Sequence, residues 1–264
     1  MRINGDNKEV TLTYNNLKQN GLYTNNYVKN VETIDFQETD LLYAGEGLYT
    51  PSTNTVYYNT YERDMILHEL LHAAMYDGTN QVFYVKGKKY YKSSGFTLVN
   101  ETPNRIGIAI SEGLTEYYRM LLYNNGKIDR NKLSCYDYYQ AALLSKLLID
   151  LTGQNKISDL AFRNDLMGFY SLLRNQLGDT YGSIVSLADD IFNLDSKSFL
   201  SRFFKNSNKI QLTNFLIELA YNNIENKDLE EIFSNYIDKY FEDETKGYDA
   251  THKRLEKTKR KYER

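Results

Sequence analysis

Apolar and polar positions change their period part-way along the chain. Up to about residue 60 the apolar residues come in short runs divided by turn signals, a β-type pattern. Its clearest member is GLYTPSTNTVYYN, in which Tyr57 and Tyr58 close a strand. The next stretch, YERDMILHELLHAAMYDG from Tyr61 to Gly78, changes to helical spacing. On a wheel of about 100° per residue, Ile66, Leu67, Leu70, Leu71, Ala73 and Ala74 share one broad arc, and His68, Glu69 and His72 fall off it. This predicts a helix of about four turns with a core face and a chemical face. Thr60 is the expected cap, Glu62 and Asp64 suit the positive end of the dipole, and Gly78 suits termination. Beyond it, QVFYVKGKKYYKSSGFTLV reads as two strands about Lys86-Gly87-Lys88. From about Arg105 the pattern is helical. AISEGLTEYYRMLLYNNG carries a stripe of Ile110, Leu114, Tyr117, Tyr118 and Leu121, and YDYYQAALLSKLLIDLTG, RNDLMGFYSLLRNQLG, YGSIVSLADDIFNL and IQLTNFLIELAYNN follow. Strands first and helices later predict an α+β fold, with a small N-terminal sheet around the histidine helix and a mostly helical C-terminal half.

The chain has 264 residues, 41% of them apolar, enough to bury a core as one large domain or two small ones. Residues 1–125 are expected to carry the sheet and the chemistry-bearing helices, and residues 126–264 a helical part of the same unit. A net charge of -3 gives no global reason to expect nucleic acid or an anionic membrane as partner. The single cysteine, Cys135, cannot form an internal disulfide and reads as a buried, inert thiol. No stretch approaches the roughly 18 to 20 apolar residues of a membrane span, and MRINGDNKEV lacks the apolar core of a signal peptide. The compartment stays open between the cytoplasm and, with a signal segment already removed, secretion or the cell surface. The 25 tyrosines, against no tryptophan, read as half-buried packing residues on amphipathic helices.

Candidate chemistry enters at the histidine helix. His68 and His72 project side by side one turn apart, close enough for both imidazoles to meet one zinc ion at roughly 2.0 to 2.1 Å. Glu69 then points toward the next coordination position, where a carboxylate can take a proton from a metal-activated water. Two of the chain's three histidines sit here. Catalytic zinc needs a third protein ligand, which His, Asp or Glu can supply. His252 lies in THKRLEKTKRKYER and reads as a solvated residue. Glu112 and Glu116 lie together opposite the apolar stripe of their helix, which on spacing alone is also the look of any exposed helix face.

HELLH followed by SEGLTEY resembles the gluzincin metallopeptidases, in which H-E-x-x-H precedes a helix bearing N-E-G-x-x-E or a near variant. The similarity takes in GLYTPSTNTVYYN and the SGF before the second helix, so it covers residues 45 to 125 or so. The resemblance implies a zincin-like fold and one zinc per chain, held by His68, His72 and Glu112. It gives Glu69 the role of general base in peptide hydrolysis and Glu116 that of orienting a zinc-bound histidine. Ser111 stands where the family usually has Asn. A peptide or protein substrate is implied, pairing with a sheet edge for which Thr53 to Asn59 are the candidate, the same residues reading equally well as an interior strand. An oxyanion donor is implied too, with Tyr136, Tyr138 and Tyr139 as candidates by chain order, each reading first as a packing residue. Two other readings stand beside this one. A zincin-like domain without turnover could serve as a binding or structural module. A helical interaction protein with a chance H-E-x-x-H would have Glu112 remote from the histidines. The basic run from Lys253 to Arg264 reads as a solvated helix end or, less simply, as a tail for acidic partners.

Overall fold

A computed structural model describes residues 8–42, 46–102, 105–124, 136–193, 199–223, 229–242 and 244–262. Over these residues the chain is α+β and predominantly helical. The first difference from the sequence reading comes at once. The chain opens with two helices, α1 (Lys8–Gln19) and α2 (Asn25–Val31), before any strand. Val10, Thr13 and Leu17 of α1, and Tyr27 and Val31 of α2, are buried at helical spacing. The short, β-branched and Asn-rich runs look extended by propensity, but the face they can bury decides the outcome. The Tyr27 hydroxyl ties the pair by donating to the Val10 carbonyl at 2.9 Å.

Three short strands follow: β1 (Asp35–Glu38), β2 (Gly47–Thr50) and β3 (Thr55–Tyr58). They form a sheet of order β1-β3-β2, with β1 parallel and β2 antiparallel to β3. The segment Thr53 to Asn59 is therefore not an edge, because β3 lies in the middle; β2 is the edge on that side. The sequence left edge and interior open because β1 reads DFQE, mostly exposed and without alternation, so nothing in it announces a parallel partner.

The histidine helix, α3, runs Arg63–Ala74, shorter than expected. Glu62 is the N-cap residue in extended conformation, and Thr60 bonds Asn59 instead of capping. Every residue from Met65 to Ala74 is buried, including His68, Glu69 and His72 at 6, 6 and 8% exposure. The chemical face thus points into the protein.

A second sheet is a meander of β4 (Val82–Val85), β5 (Lys88–Lys92), β6 (Leu98–Val99) and β7 (Arg105–Ile106). Its first hairpin turns at Lys86 and Gly87 as expected. Both have positive φ, 49° and 75°, the two-residue geometry whose twist matches antiparallel strands. The rest is helical: α4 (Ile108–Tyr123), α5 (Tyr136–Thr152), α6 (Gln154–Arg163), α7 (Leu166–Leu177), α8 (Tyr181–Asn193), α9 (Phe199–Asn223), α10 (Leu229–Tyr240) and α11 (Thr245–Tyr262).

Helix α4 is the pivot between the N-terminal elements and the helical half. It packs against α3 on one side and against α5 and α8 on others. Gly113 permits the close approach to α5, since a Cβ there would lie 2.2 Å from the Ala141 carbonyl oxygen and 2.4 Å from Ser145 Oγ. Of the basic C-terminal run, Lys253 to Tyr262 form the last part of α11, which packs on α9 with Thr251, Leu255 and Thr258 buried. Its outer cations are partly paired, Arg254 with Glu218 and Lys259 with Glu230. No helix among the described residues is long and apolar enough to cross a membrane.

Candidate metal centre

His68 and His72 share a face of α3 because four residues span about one turn, and their Nε2 atoms stand 3.2 Å apart. Glu112, on α4, brings its Oε2 to 3.1 Å from His68 Nε2 and 3.2 Å from His72 Nε2. Among the described residues this trio is the group whose ligand atoms converge closely enough to hold a metal ion. The reading that needs Glu112 remote from the histidines is not met. His252 belongs to α11, where its Nε2 faces Asp238 at 3.4 Å.

The partners behind each ring fix which nitrogen carries the proton. His68 Nδ1 lies 3.0 Å from Glu116 Oε2. Arg119 donates to both Glu116 oxygens, Nε to Oε2 at 2.8 Å and Nη2 to Oε1 at 2.6 Å. A carboxylate so held can only accept, so His68 Nδ1 must donate and Nε2 faces inward. His72 Nδ1 sits 3.4 Å from Ser94 Oγ and 3.4 Å from Thr115 Oγ1. Each hydroxyl spends its one hydrogen elsewhere, Ser94 on the His72 carbonyl at 2.7 Å and Thr115 on the Ser111 carbonyl at 2.9 Å. They are left to accept from His72 Nδ1, and its Nε2 also points inward with a lone pair.

Three electron-rich atoms therefore face one point, an arrangement that requires a cation or a proton at its centre. The electrostatics agree. Burial disfavours the charged form of His68, but hydrogen bonds to Glu112 and Glu116 and the nearby Glu69 outweigh it and raise its pKa to about 10. Burial would raise Glu112, yet the field of His72 and its contacts with both rings hold it well below the usual carboxylate range. Glu116 is likewise brought down to about 2 against burial, chiefly by Arg119 and His68.

Glu69 stands beside this trio without joining it. Its Oε2 accepts the Tyr49 backbone N–H at 2.7 Å, which ties the carboxylate to β2. Strand β2 can come this close because Gly47 has no side chain; a Cβ there would lie 2.0 Å from Met65 Sδ and 3.1 Å from Glu69 Cγ.

Of the three tyrosine candidates, Tyr138 stacks on His68, with ring centroids 5.3 Å apart and planes at 22°. Tyr139 is a core residue. The side chain of Tyr136, like Cys135, lies outside the described residues. Ser111 accepts the Phe96 N–H at 2.8 Å. It thereby holds the turn that carries Ser94 toward His72.

Several supporting residues escaped the sequence reading. Arg119 was findable, being three residues beyond Glu116 on the same helix. Asp64 was assigned only to the helix dipole, yet its Oδ2 is 3.2 Å from Arg119 Nη1. Asp189 on α8 had no signal at all. It caps α4 from 82 and 80 residues away, accepting N–H from Gly107 at 2.7 Å and Ala109 at 3.0 Å. Burial raises its carboxyl to about 6 despite those two bonds.

The chain matches no protein-family model, and neither a curated protein nor a solved structure shows significant similarity to it.

Proposed function

We propose that this protein is a zinc-dependent metallopeptidase of gluzincin type with a zincin-like fold, acting on a peptide or protein substrate. The observation that carries the reading is the triangle of His68 Nε2, His72 Nε2 and Glu112 Oε2, with sides of 3.1, 3.2 and 3.2 Å. Tetrahedral zinc with bonds of about 2.0 to 2.1 Å needs ligand atoms about 3.3 to 3.4 Å apart, and these three approach that spacing with lone pairs inward. Two neutral imidazoles and one carboxylate are a donor set that catalytic zinc uses, with a fourth position left for water or substrate.

When bound, zinc supplies a Lewis acid that polarises a carbonyl and makes water acidic enough to react near neutral pH. The remaining work falls to the chain. His68, His72 and Glu112 would hold the ion, and Glu116 orients His68. Glu69, anchored at Oε2 by the Tyr49 amide, is the carboxylate to take the proton of the attacking water and pass it to the leaving amine. The β2 edge runs beside Glu69, so an extended peptide laid along it would bring a scissile carbonyl to the centre.

Glu69→Gln tests the assignment. It keeps size and helix propensity and removes the proton acceptor. Zinc content, read by elemental analysis, should stay at one per chain, while hydrolysis of a mixed peptide library should fall by ~10² or more. Loss of the metal on this substitution would contradict the role of Glu69. Wild type and variant equally inert, both holding zinc, would favour a non-catalytic zincin-like binding module.

A further inference from the structure

Glu116 is 2% exposed and Arg119 5%, so this carboxylate and guanidinium meet away from water. Buried charges persist only when their hydrogen-bonding capacity is met. The fork is bidentate, with two short parallel bonds onto one carboxylate, which fixes the plane of the carboxylate as well as its position. Oε2, thus fixed, is the atom that faces His68 Nδ1. The third arm of the guanidinium, Nη1, reaches Asp64 on the first turn of α3. Asp64 precedes His68 by one helical turn, and Arg119 follows Glu116 by three residues. One side chain therefore joins the two ligand-bearing helices beside the histidine it helps to orient.

We infer that Arg119 is a positioning residue for the metal centre: its fork onto Glu116 and its arm to Asp64 set the direction in which His68 presents Nε2. Lysine cannot do this. An ammonium is a point charge with no planar fork, so it neutralises Glu116 without fixing the carboxylate plane. The inference rests on the metal-centre reading for its consequence, but the orientation of His68 can be followed without any metal.

The test uses the full-length protein and three variants, Arg119→Lys, Arg119→Met and Asp64→Asn. Zinc affinity is measured by competition with a chromophoric chelator. The hydrogen-bonded Nδ1–H of His68 is followed by proton–nitrogen NMR of the imidazoles in metal-free protein, and thermal melting reports folding. Arg119→Lys should fold yet bind zinc about 10- to 100-fold more weakly, the range for losing an outer-shell partner of a ligand. Its His68 Nδ1–H signal should broaden or move toward that of an exposed ring. Asp64→Asn should show a smaller change in the same direction, since Asp64 is largely exposed. If Arg119→Met fails to fold, Arg119→Lys and Asp64→Asn still decide the matter. Wild-type zinc affinity and an unchanged His68 signal in Arg119→Lys would overturn the inference. A wild type that binds no zinc would sink the metal reading instead, and the NMR comparison would then decide the role of Arg119 alone.

Discussion

If the centre takes zinc as proposed, a proton held by His68 in the metal-free protein has to be expelled on binding. For ordinary histidine ligands the pH window of metal binding would lie at about 6.5. The structure moves it, because Glu112 and Glu116 overcome burial and raise His68 to about 10. Since Nδ1 already donates to Glu116, the extra proton sits on Nε2, inside the ligand triangle. The sign follows: His68 holds this proton below about pH 10, so metal and proton compete throughout the neutral range and affinity climbs as pH rises. Between about pH 7 and 9 the apparent zinc affinity should rise about tenfold per pH unit, with about one proton released per ion bound. Titration calorimetry in two buffers of different ionisation enthalpy counts that proton directly. Glu116→Gln removes one of the groups that raise His68, so proton release at about pH 8 should fall below one even as affinity drops. Heats that do not depend on the buffer at pH 8, or an affinity that levels off above about pH 6.5, would refute the reasoning.

Three further outcomes can be checked separately. Glu112→Gln replaces an anionic ligand by a weak neutral one and should reduce zinc affinity by more than the ~10- to 100-fold typical of outer partners, with full zinc retention after dialysis as the contrary result. Gly113→Ala gains about 1 kcal/mol of helix propensity but drives a Cβ against the Ala141 backbone oxygen. Overpacking should win, with a net loss of about 2 kcal/mol and a melting temperature roughly 4 to 8 °C lower; an unchanged or higher value would mean that α4 and α5 do not cross there. In metal-free protein Glu116, lowered to about 2, contributes stability that is present above its ordinary pKa and lost as pH falls through about 2. The stability gap between wild type and Glu116→Gln in urea should therefore narrow steadily from about pH 5 downward, and a gap independent of pH would exclude the ionised pair.

What the sequence settled by itself is what a single turn of backbone settles. The i, i+4 spacing places His68 beside His72 and Glu112 beside Glu116 whatever surrounds them, and Lys86-Gly87 can make its tight turn with only its own two residues. Periodicity says which side chains share a face, but not which face meets which. The polar faces of α3 and α4 look like surfaces for solvent, and they became an interior because the two helices turn them toward each other. That meeting depends on contacts far apart in sequence: Gly113 against Ala141, Asp189 on the first turn of α4, and Arg119 spanning from Glu116 to Asp64. The same holds for the strands. β3 is interior only because β1, an unpatterned tetrapeptide some twenty residues earlier, pairs with it in parallel. Local patterns identified the chemical groups, and long-range packing decided that three of them converge on one point, since the free energy of burying a shared core acts between faces and leaves no periodic trace in either segment alone.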